Sequence, residues 1–166
     1  QNATSVFVND YGMGTSYLID FKNPAKPQLA GKLASIPSAN TPHSFARLAN
    51  GHVLATIQFG DGIPGQAGGV AEFDANGKLV RYSSSRDDSY RDPRIRTYAL
   101  ATLPKIDRLI TTSSAMDTMH VANTIQVWRL SDLKLLKTLE VKEEAGIDSA
   151  WKYPFEVRAM PDGKTA

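Results

Sequence analysis

The sequence repeats a unit of about fifty residues, and this period restricts the possible folds more than any other feature. The first landmark is an aromatic residue that ends one strand-like segment of each unit, and it recurs 52 and 55 residues apart at Phe21, Phe73 and Trp128. The second landmark lies in the segment that opens each unit, and it recurs 53 and 57 residues apart at Phe45, Tyr98 and Phe155. Two independent landmarks with a similar period predict a repeat architecture.

The clearest unit, residues 41–85, divides into four strand-like segments. They lie at residues 43–48, 52–58, 69–73 and 78–84. Each segment either alternates polar and apolar side chains or is rich in residues that favour strands. Asn50-Gly51 and Asn76-Gly77 tolerate the positive φ angles that tight hairpin turns require. Because four antiparallel strands joined by short turns make one propeller blade, we predict an all-β protein with the β-propeller fold.

The rest of the chain divides in the same way. We predict a partial first blade at residues 1–35, a second complete blade at residues 96–141, and the start of a truncated blade at residues 154–166. The strands of residues 96–141 are expected at 97–103, 108–113, 123–128 and 133–141. A propeller needs at least about four blades to close. We therefore expect further blades in the same protein, on this chain or on a second one.

Composition excludes some classes of function. The net charge of +2 provides no electrostatic footprint for nucleic acid. The sequence has no apolar run long enough for a membrane span. Cysteine is absent, so these residues form no disulfide and offer no thiolate ligand. Gln1 at the start fits a cleaved signal peptide, and therefore a periplasmic or secreted protein; a truncated cytoplasmic protein would look the same.

Several segments resemble, in order, the selenium-binding protein/methanethiol oxidase family. They are residues 14–20 (GTSYLID), 42–45 (PHSF), 49–53 (ANGHV), 60–61 (GD), 65–74 (GQAGGVAEFD), 108–113 (RLITTS), 125–128 (IQVW), 135–139 (LLKTL) and 154–158 (PFEVR). The last segment is similar to a Pro-x-Glu-x-Arg pattern of the family. Other propellers, of the lactonase-like or YVTN type, are the alternative.

The resemblance implies a propeller of about seven blades. It also implies copper-dependent oxidation of methanethiol, with copper held by histidines near the central axis. Other family members bind selenium through a cysteine, which these 166 residues lack.

Propeller geometry indicates where a site would lie. The first strand of each blade is innermost, and the starts of these strands converge on one mouth of the central channel. The residues at these starts are His43-Ser44, Arg96-Thr97 and Tyr153-Pro154, with Glu156 and Arg158 further along their segment. A histidine, an arginine and a carboxylate that converge on one axis predict a metal or anion site.

The predicted metal ligands are His43, His120 and Glu156. The family resemblance implies that the metal is copper. A neutral imidazole at His43 suits copper or zinc, and the alternative is a hydrogen bond that caps the blade. His120 lies in a loop on the same side as His43 and is otherwise an ordinary loop residue. Glu156 is two residues from Arg158, so an ion pair between neighbouring blades is its alternative role.

Other residues with reactive or metal-binding side chains have simpler interpretations. His52 follows a hairpin turn at the opposite end of the blade from His43 and is expected to be solvated. Met116 and Met119 could ligate copper or fill a loop gap, and Asp61 could bind a cation or cap its own loop.

Two functions from different classes remain. One is a copper-dependent oxidase of a small thiol, and the other is a non-catalytic propeller scaffold that binds a protein or a small ligand. Stoichiometric metal binding would separate the two. A lactonase-like hydrolase would need more carboxylates along the channel than the sequence offers.

Overall fold

The computed structural model describes residues 4–60, 67–91, 95–114, 123–142 and 154–166. Within them the chain forms strands and one 3₁₀ helix at Pro104–Ile106. The strands are β1 (Ser5–Asp10), β2 (Thr15–Asp20), β3 (Gln28–Lys32), β4 (Asn40–Arg47), β5 (Val53–Phe59), β6 (Gly69–Phe73), β7 (Leu79–Ser84), β8 (Thr97–Leu103), β9 (Arg108–Ser113), β10 (Thr124–Arg129) and β11 (Leu135–Glu140).

The strands form three antiparallel sheets, each with its strands in chain order. The first blade contains β1 to β3, the second β4 to β7 and the third β8 to β11. The protein is therefore all-β and propeller-like, as the sequence predicts. The predicted bounds of β6, β8 and β9 are confirmed. No helix in the described part of the chain is long and apolar enough to cross a membrane.

Apolar side chains fill the spaces between neighbouring blades. The core between the first and second blades contains Leu33, Ile36, Ala55, Ile57, Ala71 and Phe73. The core between the second and third blades contains Leu54, Val70, Leu100, Leu109, Trp128 and Leu133. Side chains alternate along a strand, so Leu54 and Ala55 of β5 serve opposite cores. The second blade is consequently covered on both faces, and each large side chain buried there contributes about 1.5–3 kcal/mol.

The register of the last two strands shifts at one point in every blade. The shift falls immediately before Ile19, Phe73 and Trp128, which are therefore equivalent and lie 54 and 55 residues apart. The predicted equivalence of Phe21 with Phe73 and Trp128 is wrong. Phe21 lies just after β2 and is 36% exposed, whereas Phe73 and Trp128 are fully buried.

Close backbone packing explains part of the glycine-rich run. A Cβ atom on Gly68 would lie 2.1 Å from the carbonyl oxygen of Ile57, and one on Gly69 would lie 2.4 Å from that of Ser83. Cβ atoms essentially never approach a backbone oxygen this closely. Strands β5, β6 and β7 can therefore pair as they do only because both positions are glycine.

Residues 154–166 run beside the third blade without forming a strand. The hydroxyl of Thr112 donates to the carbonyl of Phe155 at 2.8 Å, and Lys105 Nζ donates to the carbonyl of Asp162 at 2.7 Å. The amide of Met160 closes a turn by donating to Thr165. The sequence predicts the start of a blade in this segment. No described residue forms a hydrogen-bonded ladder with it, so the segment is not a strand among the residues that the structure describes.

Candidate functional site

The innermost strands, β4 and β8, carry the same irregularity. The pairing of β4 with β5 skips residues 43 and 44, and the pairing of β8 with β9 skips residues 98 and 99. Two residues therefore lie opposite one, which is a β-bulge. His43 and Tyr98 occupy the same bulge position in consecutive blades. The predicted equivalence of Phe45 with Tyr98 is thus wrong by two residues, because a bulge cannot be recognised from side-chain alternation.

A threonine lies opposite each bulge, and in the second blade it is Thr56. The Oγ1 atom of Thr56 accepts a hydrogen bond from the amide of Ser44 at 3.0 Å. Its hydroxyl donates to the carbonyl oxygen of Tyr98, in the next blade, at 2.6 Å. Thr56 is fully buried. One hydroxyl therefore stabilises the bulge and joins two blades.

The other blades repeat this link between neighbours. The hydroxyl of Thr112 accepts from the amide of Ala99 at 3.1 Å and donates to the carbonyl of Phe155 at 2.8 Å. In the first blade the side-chain amide of Asn9 donates to the carbonyl of His43. The backbone carbonyls of His43, Tyr98 and Phe155 therefore each accept a hydrogen bond from a side chain of the preceding blade.

The imidazole of His43 is half-buried at this bulge. Its Nδ1 atom lies 3.2 Å from the carbonyl oxygen of Tyr98 and 3.1 Å from the hydroxyl of Ser44. The ring packs against that of Tyr98, with 3.9 Å between centroids. A carbonyl oxygen can only accept, so the contact with Tyr98 requires a proton on Nδ1. The lone pair is then on Nε2, the nitrogen that could bind a metal.

Burial lowers the pKa of His43 below its usual value. The hydrogen bond to the backbone of Tyr98 and the negative charge of Glu156 both act to raise this pKa, but burial dominates. His43 is therefore neutral at neutral pH, which is the form that binds a metal ion.

Glu156 lies close enough to His43 for its charge to influence the imidazole. Its neighbour Phe155 packs edge-on against the ring of Tyr98, at 5.8 Å between centroids. The Glu156 side chain is 55% exposed and forms a 3.2 Å ion pair with Arg158. That ion pair stays within one segment and does not join two blades. The structure thus brings two of the three predicted metal ligands into one region.

The third predicted ligand, His120, lies outside the described residues, as do Met116, Met119 and Asp61. Their predicted roles stay predictions. Within the described part of the chain, no three histidine, cysteine, aspartate or glutamate side chains come together in a group that could hold a metal ion. His43 and Glu156 would therefore form only part of a site.

The residues at the start of β8 are used in packing. Arg96 is buried, with its guanidinium 4.7 Å from the ring centre of Phe59. The hydroxyl of Thr97 lies 2.9 Å from the carbonyl of Ile57 and 2.6 Å from that of Gly69. The prediction that Thr97 faces the channel mouth is wrong, because its side chain holds the second and third blades together.

His52 is part of a charged cluster at the opposite end of the second blade. Its Nδ1 donates to Glu72 at 2.7 Å, and the side chain of Glu72 is only 5% exposed. Arg81 donates to the other carboxylate oxygen from Nε at 2.6 Å and to the carbonyl of Ser131, in the third blade, at 2.6 Å. The expectation of a solvated His52 is met only in part, because its side chain is 31% exposed and its Nδ1 is paired with Glu72. The sequence does contain one sign of this cluster, which is a glutamate within the apolar strand β6. A buried carboxylate needs hydrogen-bonding or charged partners, so it indicates that such partners lie nearby.

No family model matches this sequence, and no curated protein matches it. Among solved structures, a hypothetical selenium-binding protein from Sulfolobus tokodaii is similar at a TM-score of 0.58 and 17% identity, over 78% of this chain and 31% of that one. A protein of unknown function from Bacteroides caccae is similar at a TM-score of 0.59 and 9% identity, over 96% of this chain and 47% of that one.

A europium-containing methanol dehydrogenase is similar at a TM-score of 0.56 and 13% identity, over 92% of this chain and 26% of that one. At such identities the likeness concerns the fold alone, and it supports a propeller-like architecture without selecting a family. The chain spans less than half of each of these three proteins.

Proposed function

We propose that this chain belongs to a propeller that binds a transition metal ion beside its inner strands, with Nε2 of His43 as a ligand. The observation that carries the proposal is the hydrogen bond from Nδ1 of His43 to the backbone carbonyl of Tyr98. Metal-binding histidines commonly donate their other ring N–H to a carbonyl or carboxylate, which fixes the tautomer and orients the ring. In this protein the arrangement is present without contributions from other chains.

The proposed metal is copper, and the proposed activity is oxidation of a small thiol. Imidazole nitrogen suits copper, and Glu156 would supply a harder oxygen ligand and a negative charge. His120 is the proposed third ligand, and further donors would come from other blades, since a metal site needs three or four protein ligands. When bound, copper supplies the redox centre through which dioxygen oxidises a thiol. The choice of thiol substrate rests on the sequence resemblance.

The residues of this chain would prepare the site in three ways. The carbonyl of Tyr98 holds the His43 ring so that its lone pair is on Nε2. The ring of Tyr98 covers the imidazole and excludes water from one side. The carboxylate of Glu156 provides negative charge near the imidazole that would attract a cation.

We further propose that the outer face of the first blade packs against another blade of the same repeat, from this protein or from a second chain. Val6 pairs with Ile19, as Val53 pairs with Phe73. Because Ile19 and Phe73 are equivalent, Val6 and Val53 are equivalent as well. Val53 lies on the same face of β5 as Ala55, which packs in the core between the first and second blades, and is 3% exposed. Val6 and Val8 are each 46% exposed. The same apolar face thus lacks a covering blade among the described residues.

A non-catalytic scaffold that binds a protein or a small ligand at the inner strands is the second candidate. The ion pair between Glu156 and Arg158 favours it, because a carboxylate already paired with a guanidinium is a weaker metal ligand. In this case Arg158, which is 85% exposed, would bind an acidic group of the partner.

Copper binding separates the two functions. The metal-free protein would be equilibrated with Cu²⁺ and analysed for bound metal, as the wild type and as the variants His43→Gln and His52→Gln. The same substitution at His52, at the opposite end of the same blade, is the matched control. We expect about one copper per chain in the wild type and in His52→Gln, and its loss in His43→Gln. No stoichiometric copper in the wild type would reject the metal site and favour the scaffold.

A copper-loaded wild type would then be tested for oxygen consumption with methanethiol. The proposal predicts activity that requires copper and is lost in His43→Gln. Copper binding without thiol-dependent oxygen consumption would retain the metal site and reject the proposed reaction.

A further inference from the structure

We propose that Thr56 is a positioning residue for His43, which keeps the imidazole proton on Nδ1 and so leaves Nε2 as the ligating nitrogen. This inference rests on the proposed metal site for its functional meaning, although the proton position can be measured without any metal. Thr56 does not contact the imidazole in the described interactions, and it acts through Ser44 and Tyr98.

Two neighbours of Nδ1 favour opposite positions of the proton. The carbonyl of Tyr98, at 3.2 Å, can only accept, so it favours a proton on Nδ1. The hydroxyl of Ser44, at 3.1 Å, can donate to Nδ1, and it would then leave the proton on Nε2. In that second state Nε2 has no lone pair for a metal. The tautomer of His43 therefore depends on which neighbour is held in better geometry.

Thr56 holds both neighbours through one buried hydroxyl. Its oxygen accepts from the amide of Ser44, and its hydrogen is donated to the carbonyl of Tyr98. These bonds fix the position of Ser44, the residue after His43, relative to the carbonyl of Tyr98. That carbonyl accepts the hydrogen bond from Nδ1 of His43. Without the hydroxyl, the amide and the carbonyl each lose a partner and the bulge can relax. The hydroxyl of Ser44, already 3.1 Å from Nδ1, can then replace the Tyr98 carbonyl as the partner of Nδ1 and donate to it.

A buried threonine of the third blade allows this role to be separated from a general structural one. The hydroxyl of Thr124 contacts that of Ser113 at 2.6 Å, and Thr124 is 3% exposed. Thr112 would not serve, because it accepts from the amide of Ala99, which belongs to the same peptide as the Tyr98 carbonyl. Substituting Thr124 by valine removes a buried hydroxyl contact and leaves the contacts of Nδ1 in place.

The test is long-range ¹⁵N–¹H NMR of the metal-free protein at mildly alkaline pH, which shows which ring nitrogen carries the proton. The His43 signal is assigned by its loss in His43→Gln. We expect the proton on Nδ1 in the wild type, in Thr124→Val and in Thr56→Ser, which keeps the hydroxyl. In Thr56→Val we expect it to move to Nε2. The backbone amide spectrum shows whether each variant is folded.

A folded Thr56→Val protein that keeps the proton on Nδ1 would overturn the proposal. If that variant does not fold, Ser44→Ala still tests it. We expect Ser44→Ala to keep the proton on Nδ1, since the carbonyl of Tyr98 remains in place. Movement of the proton to Nε2 in Ser44→Ala would show that Ser44 sets the tautomer, and the proposal would be rejected.

Copper affinity distinguishes this inference from the proposed function. If the wild type binds copper, Thr56→Val should bind it about 10–100-fold more weakly, as is typical when an outer partner of a ligand is removed. The Thr124→Val protein should lose much less affinity. A proton that moves as expected in a protein that binds no copper would keep the role of Thr56 and reject the metal site. Copper bound equally by Thr56→Val and the wild type would reject the role of Thr56.

Discussion

The second and third blades have the same inner-strand geometry and present different side chains on it. Both have a two-residue bulge opposite a threonine, and both threonines donate to a carbonyl of the next blade. At the bulge the second blade has His43 and the third has Tyr98. The backbone geometry and its hydrogen bonds are therefore repeated in both blades. The blades differ chemically in the side chain at the bulge, which is His43 in one and Tyr98 in the other.

The same two blades differ again at their opposite ends. Immediately before the register shift the second blade has Glu72 and the third has Val127. Glu72 is buried and paired with His52 and Arg81, while Val127 is a half-buried apolar residue. The second blade thus has ionisable side chains at both ends, one histidine paired with a carboxylate and one held by a backbone carbonyl. Both histidines donate from Nδ1, and His43 is the one that lies at an inner strand with the charge of Glu156 nearby.

The largest expected effect tests the finding that Phe21 is not equivalent to Trp128. Trp128 is fully buried and its Nε1 donates to the hydroxyl of Thr111 at 3.0 Å. We expect Trp128→Ala to lower the free energy of unfolding by about 4 kcal/mol in urea titrations. Phe21→Ala should cost less than about 1 kcal/mol, because Phe21 is partly exposed. Similar losses in the two variants would contradict the revised register.

The next effect contrasts Gly68 with Asn123, which lie one residue before β6 and β10 in equivalent positions. A Cβ on Gly68 would collide with the carbonyl of Ile57, so Gly68→Ala should lower the free energy of unfolding by about 3 kcal/mol. Asn123→Ala removes a hydrogen bond to Glu140 at the surface and should cost less than about 1 kcal/mol. A fully stable Gly68→Ala protein, judged by its melting temperature, would show that the strands approach less closely.

A smaller effect depends on pH. Burial raises the pKa of Glu72, but hydrogen bonds from His52 and Arg81 and the charge of Arg81 lower it more, so the folded value is below the ordinary one. The cluster therefore stabilises the protein above the unfolded pKa, about 4.3. That contribution is lost as the pH falls through the folded value.

We expect Glu72→Gln to lower the free energy of unfolding by about 2 kcal/mol at pH 7. Chemical denaturation at a series of pH values should show the difference from the wild type shrinking below about pH 4. Substituting the exposed Asp132 by asparagine is the control and should have a smaller effect at pH 7. A difference for Glu72→Gln that is constant across this range would contradict the role of the ion pairs.

The smallest effect concerns the two threonines. Thr56→Val and Thr112→Val should each lower the free energy of unfolding by about 1 kcal/mol, because each removes one donor and one acceptor from equivalent bulges. Thermal unfolding of the two variants measures this. A loss in one variant several times that in the other would show that the bulges are not equivalent in energy.

The sequence predicts the strands well where the signal is local. The bounds of β6, β8 and β9 follow from alternation and from the turns beside them. His43 was recognised as a candidate because it lies on an innermost strand. These features depend on residues close together in the chain, so pattern alone is sufficient.

The errors all concern pairing between distant residues. Side-chain alternation does not show which residue lies opposite which, so the bulges that make His43 equivalent to Tyr98 and Ile19 equivalent to Phe73 could not be seen. The partner of His52 is Glu72, twenty residues away, and is brought close only by sheet register. The role of Thr56 depends on two other residues, one of them in the next blade, and has no sequence signature.

The most direct test of the account is electron paramagnetic resonance of the protein loaded with one equivalent of Cu²⁺. The wild type would be compared with His43→Tyr, which gives the second blade the residue that the third has at the same position. If Nε2 of His43 binds the copper, one fewer nitrogen is coupled to the metal in His43→Tyr, or binding is lost, while the variant stays folded. Identical nitrogen coupling in the two proteins, or no bound copper in the wild type, would contradict the proposed metal site.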